Sequence, residues 1–184
     1  MKATEILMEE HRVIERVLNA LERATNRLSK GEEVYLRFFT GTAVFIKGFT
    51  DDCHHQKEEM VLFPALVENG LAKDSGPVAV MLAEHAEGRR LAQGMRQAAE
   101  RFQAGELRMR ESLVQNGRAY ISLIRQHIIK EDKVLFPMAD KVIPEAQHAN
   151  ILSGFEPFEC DQTGEGNHEK FYSLAERLEK ECLR

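Results

Sequence analysis

HHQKEEMVLFP, residues 54–64, returns as HIIKEDKVLFP at residues 127–137. Seven of the eleven positions are identical: His54/His127, Lys57/Lys130, Glu58/Glu131, Val61/Val134, Leu62/Leu135, Phe63/Phe136 and Pro64/Pro137. Each copy spaces a His and a Glu four residues apart, which on a helix stacks an imidazole over a carboxylate on one face. Working outward, His11 lies 43 residues before His54 and His85 lies 42 residues before His127. Each half thus supplies one lone His and then one His-x-x-x-Glu. His11, His54, Glu58, His85, His127 and Glu131 together make a donor set for a two-metal site.

The surrounding periodicity predicts helices. Leu7, His11, Ile14, Leu18 and Leu21 form one stripe of a first helix over 3–29, which Gly31 stops. A second helix is expected from about Glu33 to about Val67. Gly41 and Gly48 interrupt it, a cost that close packing against a neighbour would explain. Ser75-Gly76-Pro77 starts a third helix over about 77–104, with Met81 and His85 inward, and Gly105 ends it. A fourth spans about 107–142, with Tyr120, Leu123, Ile124, His127 and Glu131 on one face. Pro64 and Pro137 interrupt their helices at matching places and predict a shared kink. Four long amphipathic helices with short connections predict an all-α, up-down-up-down four-helix bundle over residues 1–144. Residues 145–184 lie outside the repeat and are expected to pack on the same domain as a helical extension. In it, EAQHANIL is a short helix, Asn167 N-caps a last helix over 168–182, and Phe171, Leu174, Ala175 and Leu178 repeat at helical spacing. This tail is a candidate lid over the open end of the bundle.

The α-helical register forces a choice at His54-His55. Ile46, Phe49, Cys53, His54, Glu58 and Val61 fall on the inward line, while His55 and Glu59 fall beside Asp51 and Asp52. Ile128 and Asp132 stand at the matching places of the second copy. On this register His54 and Glu58 enter the site, and His55 and Glu59 are expected on its rim.

Composition narrows the function. The chain has 184 residues, 43% hydrophobic and 30% charged, with a net charge of −5 and no basic block, so a nucleic-acid role is not expected. No run approaches a membrane span, and MKATEILMEEHRVI has no apolar core of a signal peptide. Cys53, Cys160 and Cys182 are odd in number and form no CxxC pair, so disulfides are not expected and a cytoplasmic location is.

A single inward His is ordinarily a structural residue. Four imidazoles and two carboxylates in one core are another matter, because buried polar groups need partners. A metal pair supplies them. Nitrogen and oxygen donors without thiolate suit iron, zinc or manganese. Two Glu, one from each half, are placed to bridge two ions, and two imidazoles per ion leave an open position for a small guest. Tyr120 shares the face of His127 and reads first as a core residue, with a contact to the site as the alternative. Met81 reads as wall, Cys53 as a small buried hydrophobe, and His148 and His168 as surface or cap residues.

His11, HHQKEEMVLFP, His85 and HIIKEDKVLFP together resemble the hemerythrin-like family, the HHE cation-binding domain, over about residues 3–140. The resemblance implies a four-helix bundle holding a non-haem centre of two iron ions, with zinc or manganese ranking behind iron. Its implied ligands are His11, His54, Glu58, His85, His127 and Glu131. Oxygen-carrying hemerythrins have a second His one turn before the third-helix His and an Asp as second bridge. This chain has Met81 and Glu131 there, and so is closer to bacterial members tied to nitric oxide, peroxide or iron-cluster repair. The repair proteins also carry a cysteine-bearing N-terminal segment that this sequence does not contain. The expected guest is dioxygen, nitric oxide or peroxide, with an electron-donor protein as a possible partner. The alternatives are a redox enzyme that reduces peroxide or nitric oxide, and an iron store or donor.

Overall fold

A computed structural model describes residues 2–159 and 167–183. The described residues are helical, with no strand among them. Helix α1 covers Ala3–Ser29. The second helical stretch is composite. It begins as α2, Arg37–Phe45, widens into a π-helical segment at Ile46–His55 and a second at Glu58–Leu62, and closes as α3, Phe63–Glu68. Helix α4 is Gly76–Gln103. The last stretch of the repeat is α5, Met109–Lys130, then a π-segment Glu131–Leu135, then α6, Phe136–Val142. A 3₁₀ turn, Glu145–Gln147, leads to α7, His148–Phe155, and a second turn, Glu156–Phe158, follows it. Helix α8 is Asn167–Glu181. Cys160 and the side chains of Asn167 and His168 lie outside the described residues, so the capping expected of Asn167 and the surface placement expected of His168 do too.

The helices form a bundle in which α4 packs on α5, α5 on α1, and α2 on α4. Gly31 and Gly105 adopt positive φ, +80° and +98°, and end α1 and α4 where the sequence places the stops. The second stretch starts at Arg37 rather than about Glu33. Among the described residues no helix is long and apolar enough to cross a membrane.

The kink expected at Pro64 and Pro137 takes a specific form. The Phe63 N–H donates to the Glu58 carbonyl and the Phe136 N–H to the Glu131 carbonyl, five residues back. Each proline then follows as the second residue of a new α-helix, where its missing N–H is tolerated. A π-turn directly before the proline thus absorbs the break in the hydrogen-bond ladder. It also puts the irregularity at the repeat's glutamate, a common position for π-bulges at functional sites.

Two apolar clusters fill the interior. One joins α1, α2, α4 and α5 with α8, and includes Leu18, Phe49, Met95, Tyr120 and Leu178. The other lies toward α3 and α6, and includes Leu7, Leu62, Met81, Phe136 and Phe155. Helix α8 seats on α1 and α2, with Ala175 and Leu178 fully buried. The close approach inferred for Gly41 and Gly48 is to this helix. A Cβ on Gly48 would lie 2.2 Å from the Phe171 ring, and one on Gly41 would lie 3.3 Å from Leu178. The Phe171 ring is wedged among Phe45 and Phe49, with centroids 6.3 and 6.0 Å away, so it has little room to yield. Gly48→Ala is therefore expected to cost about 1–3 kcal/mol from overpacking, although alanine is the better helix former. On a Phe171→Ala background the same change should cost nothing further. Denaturant melts of the four proteins check this, and a stabilised Gly48→Ala single variant would show that α8 does not seat there.

Cys53 departs from expectation. It is disulfide-bonded, while Cys182 is a buried free thiol. Sequence spacing carries no information on pairing between cysteines distant in the chain, and an odd count leaves room for one bridge.

Candidate metal centre

A polar layer lies in the bundle interior, where α1, the π-segments, α4 and α5 converge. His11, His54, Glu58, His85, His127 and Glu131 are all brought into it, none more than 1% exposed. The layer also contains His55, which the α-register placed on the rim. His55 is 2% exposed, and its ring stacks on His85 with centroids 3.8 Å apart. The correction has a physical cause. Residues 46–55 form a π-helix, whose longer turn narrows the angle between neighbouring side chains, so Asp51, His54 and His55 are all buried. The signal that could have found His55 is Ile128, its match in the repeat. Ile128 is an apolar residue in the core, which marks the position as inward.

Donor atoms converge in two groups, each with its atoms within 4.8 Å of one another: His11, His54, Glu58 and Glu131, and His55, Glu58, His85 and His127. Glu58 belongs to both. Its Oε1 lies 3.6 Å from His54 Nε2 and its Oε2 lies 3.4 Å from His85 Nε2. Glu131 also joins the groups, with Oε2 3.2 Å from His11 Nε2 and 3.1 Å from His127 Nε2. The centre is therefore uneven, with two imidazoles on one side and three on the other.

The outer partners explain why every Nε2 faces inward. His11 Nδ1 meets Asp132, His54 meets Glu10, His55 meets Asp51, His85 meets Glu59 and His127 meets Glu84, at 2.7–3.0 Å. Each carboxylate accepts from Nδ1–H and so leaves the Nε2 lone pair for the centre, the arrangement usual behind metal-bound histidine. The repeat generates most of this frame. Glu10-His11 and Glu84-His85 are equivalent dipeptides whose glutamates hold the His of the longer motif in their own half. Glu59 and Asp132 are equivalent positions that hold the lone His of the opposite half. Lys57 and Lys130, identical in the repeat, cap Glu10 and Glu84. Arg12 pairs with Asp132, and Arg89 with Glu59. Glu59 is thus the outer partner of His85, on the margin of the site as the register predicts, though the sequence reading gave it no task. Only His55 and Asp51 have no counterpart in the second half.

The inner donors are left without partners. His11 Nε2, His54 Nε2 and all four oxygens of Glu58 and Glu131 are buried and make no hydrogen bond. Orphaned buried polar atoms are expensive, so six in one layer point to a missing partner. His85 Nε2 and His127 Nε2 lie 3.1 Å apart, close to the roughly 3 Å edge between adjacent ligands on an ion with bonds of about 2.1 Å. The residues fit a cation on both counts.

Protonation in the bare protein follows from the same contacts. Burial disfavours charged His11, but Asp132 and Glu131 outweigh it and raise the group to about 9. Burial likewise opposes charge on His127, and Glu131 and Glu84 raise it to about 10. His85 is raised against its burial by Glu58 and Glu59. Burial would raise Glu131, yet His127 and His11 hold it below the carboxylate range. His55 moves the other way, pushed well down by burial and by the cationic imidazoles around it. Burial raises its partner Asp51 to about 6, against the pull of Arg89 and Lys47.

The remaining candidates lie elsewhere. Tyr120 is buried behind the site with its ring against Gly88, and belongs to neither donor group. Burial pushes its phenol well up. Met81 is apolar wall. His148 is half-buried beside Glu145 at the start of α7. Among the described residues no further group of this kind occurs.

Comparison with known proteins agrees with the site. The chain is 29% identical over 178 residues to uncharacterized proteins of Mycobacterium bovis and Mycobacterium tuberculosis, spanning 97% of this chain and 69% of each relative. No solved structure matches it. The family model of the hemerythrin HHE cation-binding domain matches residues 2–139, the stretch that carries the doubled motif and every donor of the polar layer. The chain belongs to the hemerythrin HHE cation-binding domain family.

Proposed function

We propose that this is a non-haem di-iron protein that binds dioxygen, nitric oxide or peroxide in an oxygen or nitrosative stress response. The fold carrying it is an up-down-up-down bundle over residues 1–144, with 145–184 packed on it as part of the same domain. The observation that carries the reading is the buried donor layer, divided between two imidazoles on one side and three on the other, in which His11, His54, Glu58 and Glu131 keep six inward atoms without a partner. His11 and His54 would hold one iron, and His55, His85 and His127 the other, with Glu58 and Glu131 shared. A pair of ferrous ions there supplies electrons to a small guest. The donor set of imidazole and carboxylate suits iron, and the side with fewer imidazoles is the one with room for a guest.

The protein's own residues supply the rest. The outer carboxylates fix each ring and raise its basicity. Phe136 stacks on His11 at 5.5 Å and Phe63 on His85 at 5.8 Å, walls that keep bulk water from the donors. A cleft of about 280 Å³, lined by Phe63, Val67, Val78 and Leu82 together with the charged Glu59, Glu68 and Lys73, lies beside the three-imidazole half.

The test is the visible spectrum of anaerobic, iron-reconstituted, reduced protein as dioxygen is mixed in. A long-lived charge-transfer band that reverses on deoxygenation supports binding or sensing. Rapid one-way passage to the ferric form moves the assignment to reduction of peroxide or nitric oxide. A sample that stays colourless overturns a redox di-iron centre in favour of zinc or manganese.

A further inference from the structure

The two halves of the outer frame differ in one respect. Lys130 holds Glu84 from a partly open position, with its side chain 40% exposed. Its equivalent, Lys57, is fully buried and has two carboxylate partners. Glu10 Oε1 is one. The other is Glu159 Oε1, 3.0 Å away, from the tail that the repeat does not contain. Phe155 closes the site from the same side, its ring centroid 5.8 Å from the Lys57 ammonium. Helix α7 rests tightly on the second π-segment, since a Cβ on Gly154 would lie 2.8 Å from Val61. A continuous polar chain therefore runs from the tail to the centre: Glu159, Lys57, Glu10 and His54 Nδ1, the last step 2.9 Å. On the other side Lys130, Glu84 and His127 Nδ1 form the matching inner steps, and among the described residues no tail carboxylate extends them.

We propose that Glu159 and Lys57 are positioning residues through which the C-terminal segment sets the affinity of the ion held by His11 and His54, making the two ions unequal. The inference rests on the two-ion reading above. Its physics is a competition for Glu10. The buried Lys57 ammonium is shared between buried Glu10 and Glu159, whose side chain is 36% exposed, and its field is weakly screened on the buried side. Without Glu159 it draws on Glu10 alone. Glu10 then accepts less strongly from His54 Nδ1–H, and Nε2 becomes a weaker donor to the ion. Loss of such an outer partner commonly lowers metal affinity about 10–100-fold. Because Glu159 acts through two intermediates, the lower end is expected.

The test uses full-length protein stripped of metal and titrated with Co(II) against a competing chelator, read by visible absorption. Wild type should take two ions. Glu159→Gln should weaken one of them about tenfold and leave the other unchanged, whereas Lys130→Gln should weaken the other. Lys57→Arg should retain wild-type behaviour better than Lys57→Met. Adding Glu159→Gln to His55→Ala, which keeps the His11–His54 side, should still weaken the remaining ion. Adding it to His54→Ala should not. If Glu159→Gln leaves both affinities unchanged and only lowers melting of stripped and loaded protein alike, Glu159 merely fastens the tail and the proposal is overturned. A wild type that takes fewer than two ions would instead sink the two-ion reading, and this inference with it.

Discussion

On the di-iron reading, Glu58→Ala is expected to abolish stable metal binding, taking metal content from the proposed two ions per chain to near none. Glu58 is the one residue common to both donor groups, with an oxygen directed to each. Its removal takes a carboxylate from both ions at once, and leaves cationic imidazoles facing one another with less negative charge between them. His55→Ala should behave differently. It strips one imidazole from the three-imidazole side, so that ion should be lost or weakened while the one at His11 and His54 persists. Metal analysis after gel filtration, with circular dichroism to confirm helicity, checks both. If His55→Ala keeps two tightly bound ions, His55 is only a stacking partner of His85, and the rim assignment made from the helical register holds in function though not in burial. If Glu58→Ala keeps two ions, Glu131 alone bridges the centre.

Alkaline pH should weaken the metal-free protein and leave the metal-loaded protein level. In the metal-free protein His11, His85 and His127 have folded values above the ordinary histidine value, His11 about 9 and His127 about 10. A group raised on folding stabilises fully below its unfolded value, about 6.5. That contribution is lost as pH rises through the folded value. Stability of the metal-free protein should therefore fall between about pH 6.5 and pH 10. On the acid side two groups work the other way. His55, depressed on folding, costs stability below about pH 6.5, and Glu131, also depressed, loses its contribution as pH falls below the carboxylate range. With metal bound, the ligand imidazoles are neutral, as they are in the unfolded chain above about pH 6.5, so affinity should rise over the alkaline range in which the bare protein weakens while loaded-state stability stays level. Loading at pH 7 should release the protons of His11 and His127, measurable with a pH indicator in weak buffer. Parallel thermal melts of the two forms from pH 6 to 10 make the comparison, and parallel slopes would show that the donors do not bind the ion through His11 and His127.

The repeat explains why most of the candidate site is legible in sequence; the one donor outside it, His55, is not. Equivalent residues in two halves must do equivalent work, so His54/His127, Glu58/Glu131 and His11/His85 could be paired without coordinates. The same logic was available for the outer shell. Glu10 and Glu84 each precede a lone His, Glu59 and Asp132 match, and the identical Lys57 and Lys130 stand where a bare ligand motif has no use for a lysine. These regularities carry no direction, however. Only packing shows that Glu10 reaches His54 in its own half while Asp132 crosses to His11 in the other. His55 fails for a different reason. The helical wheel assumes i to i+4 hydrogen bonding, and the π-helix at Ile46–His55 replaces it with i to i+5. The residues that break the wheel are those that build the centre.

The sequence by itself determined an all-helical chain, the helix stops at Gly31 and Gly105, the apolar stripes, and six donors in two matched halves, because these follow from local periodicity and repetition. It also required something to pack against Gly41 and Gly48, without saying what. The tertiary structure decided that α8 fills that place, that the tail reaches Lys57, and that a fifth imidazole turns the symmetric four-His set into an uneven one. These depend on contacts between residues far apart in the chain, and on a backbone geometry that neighbouring residues do not encode.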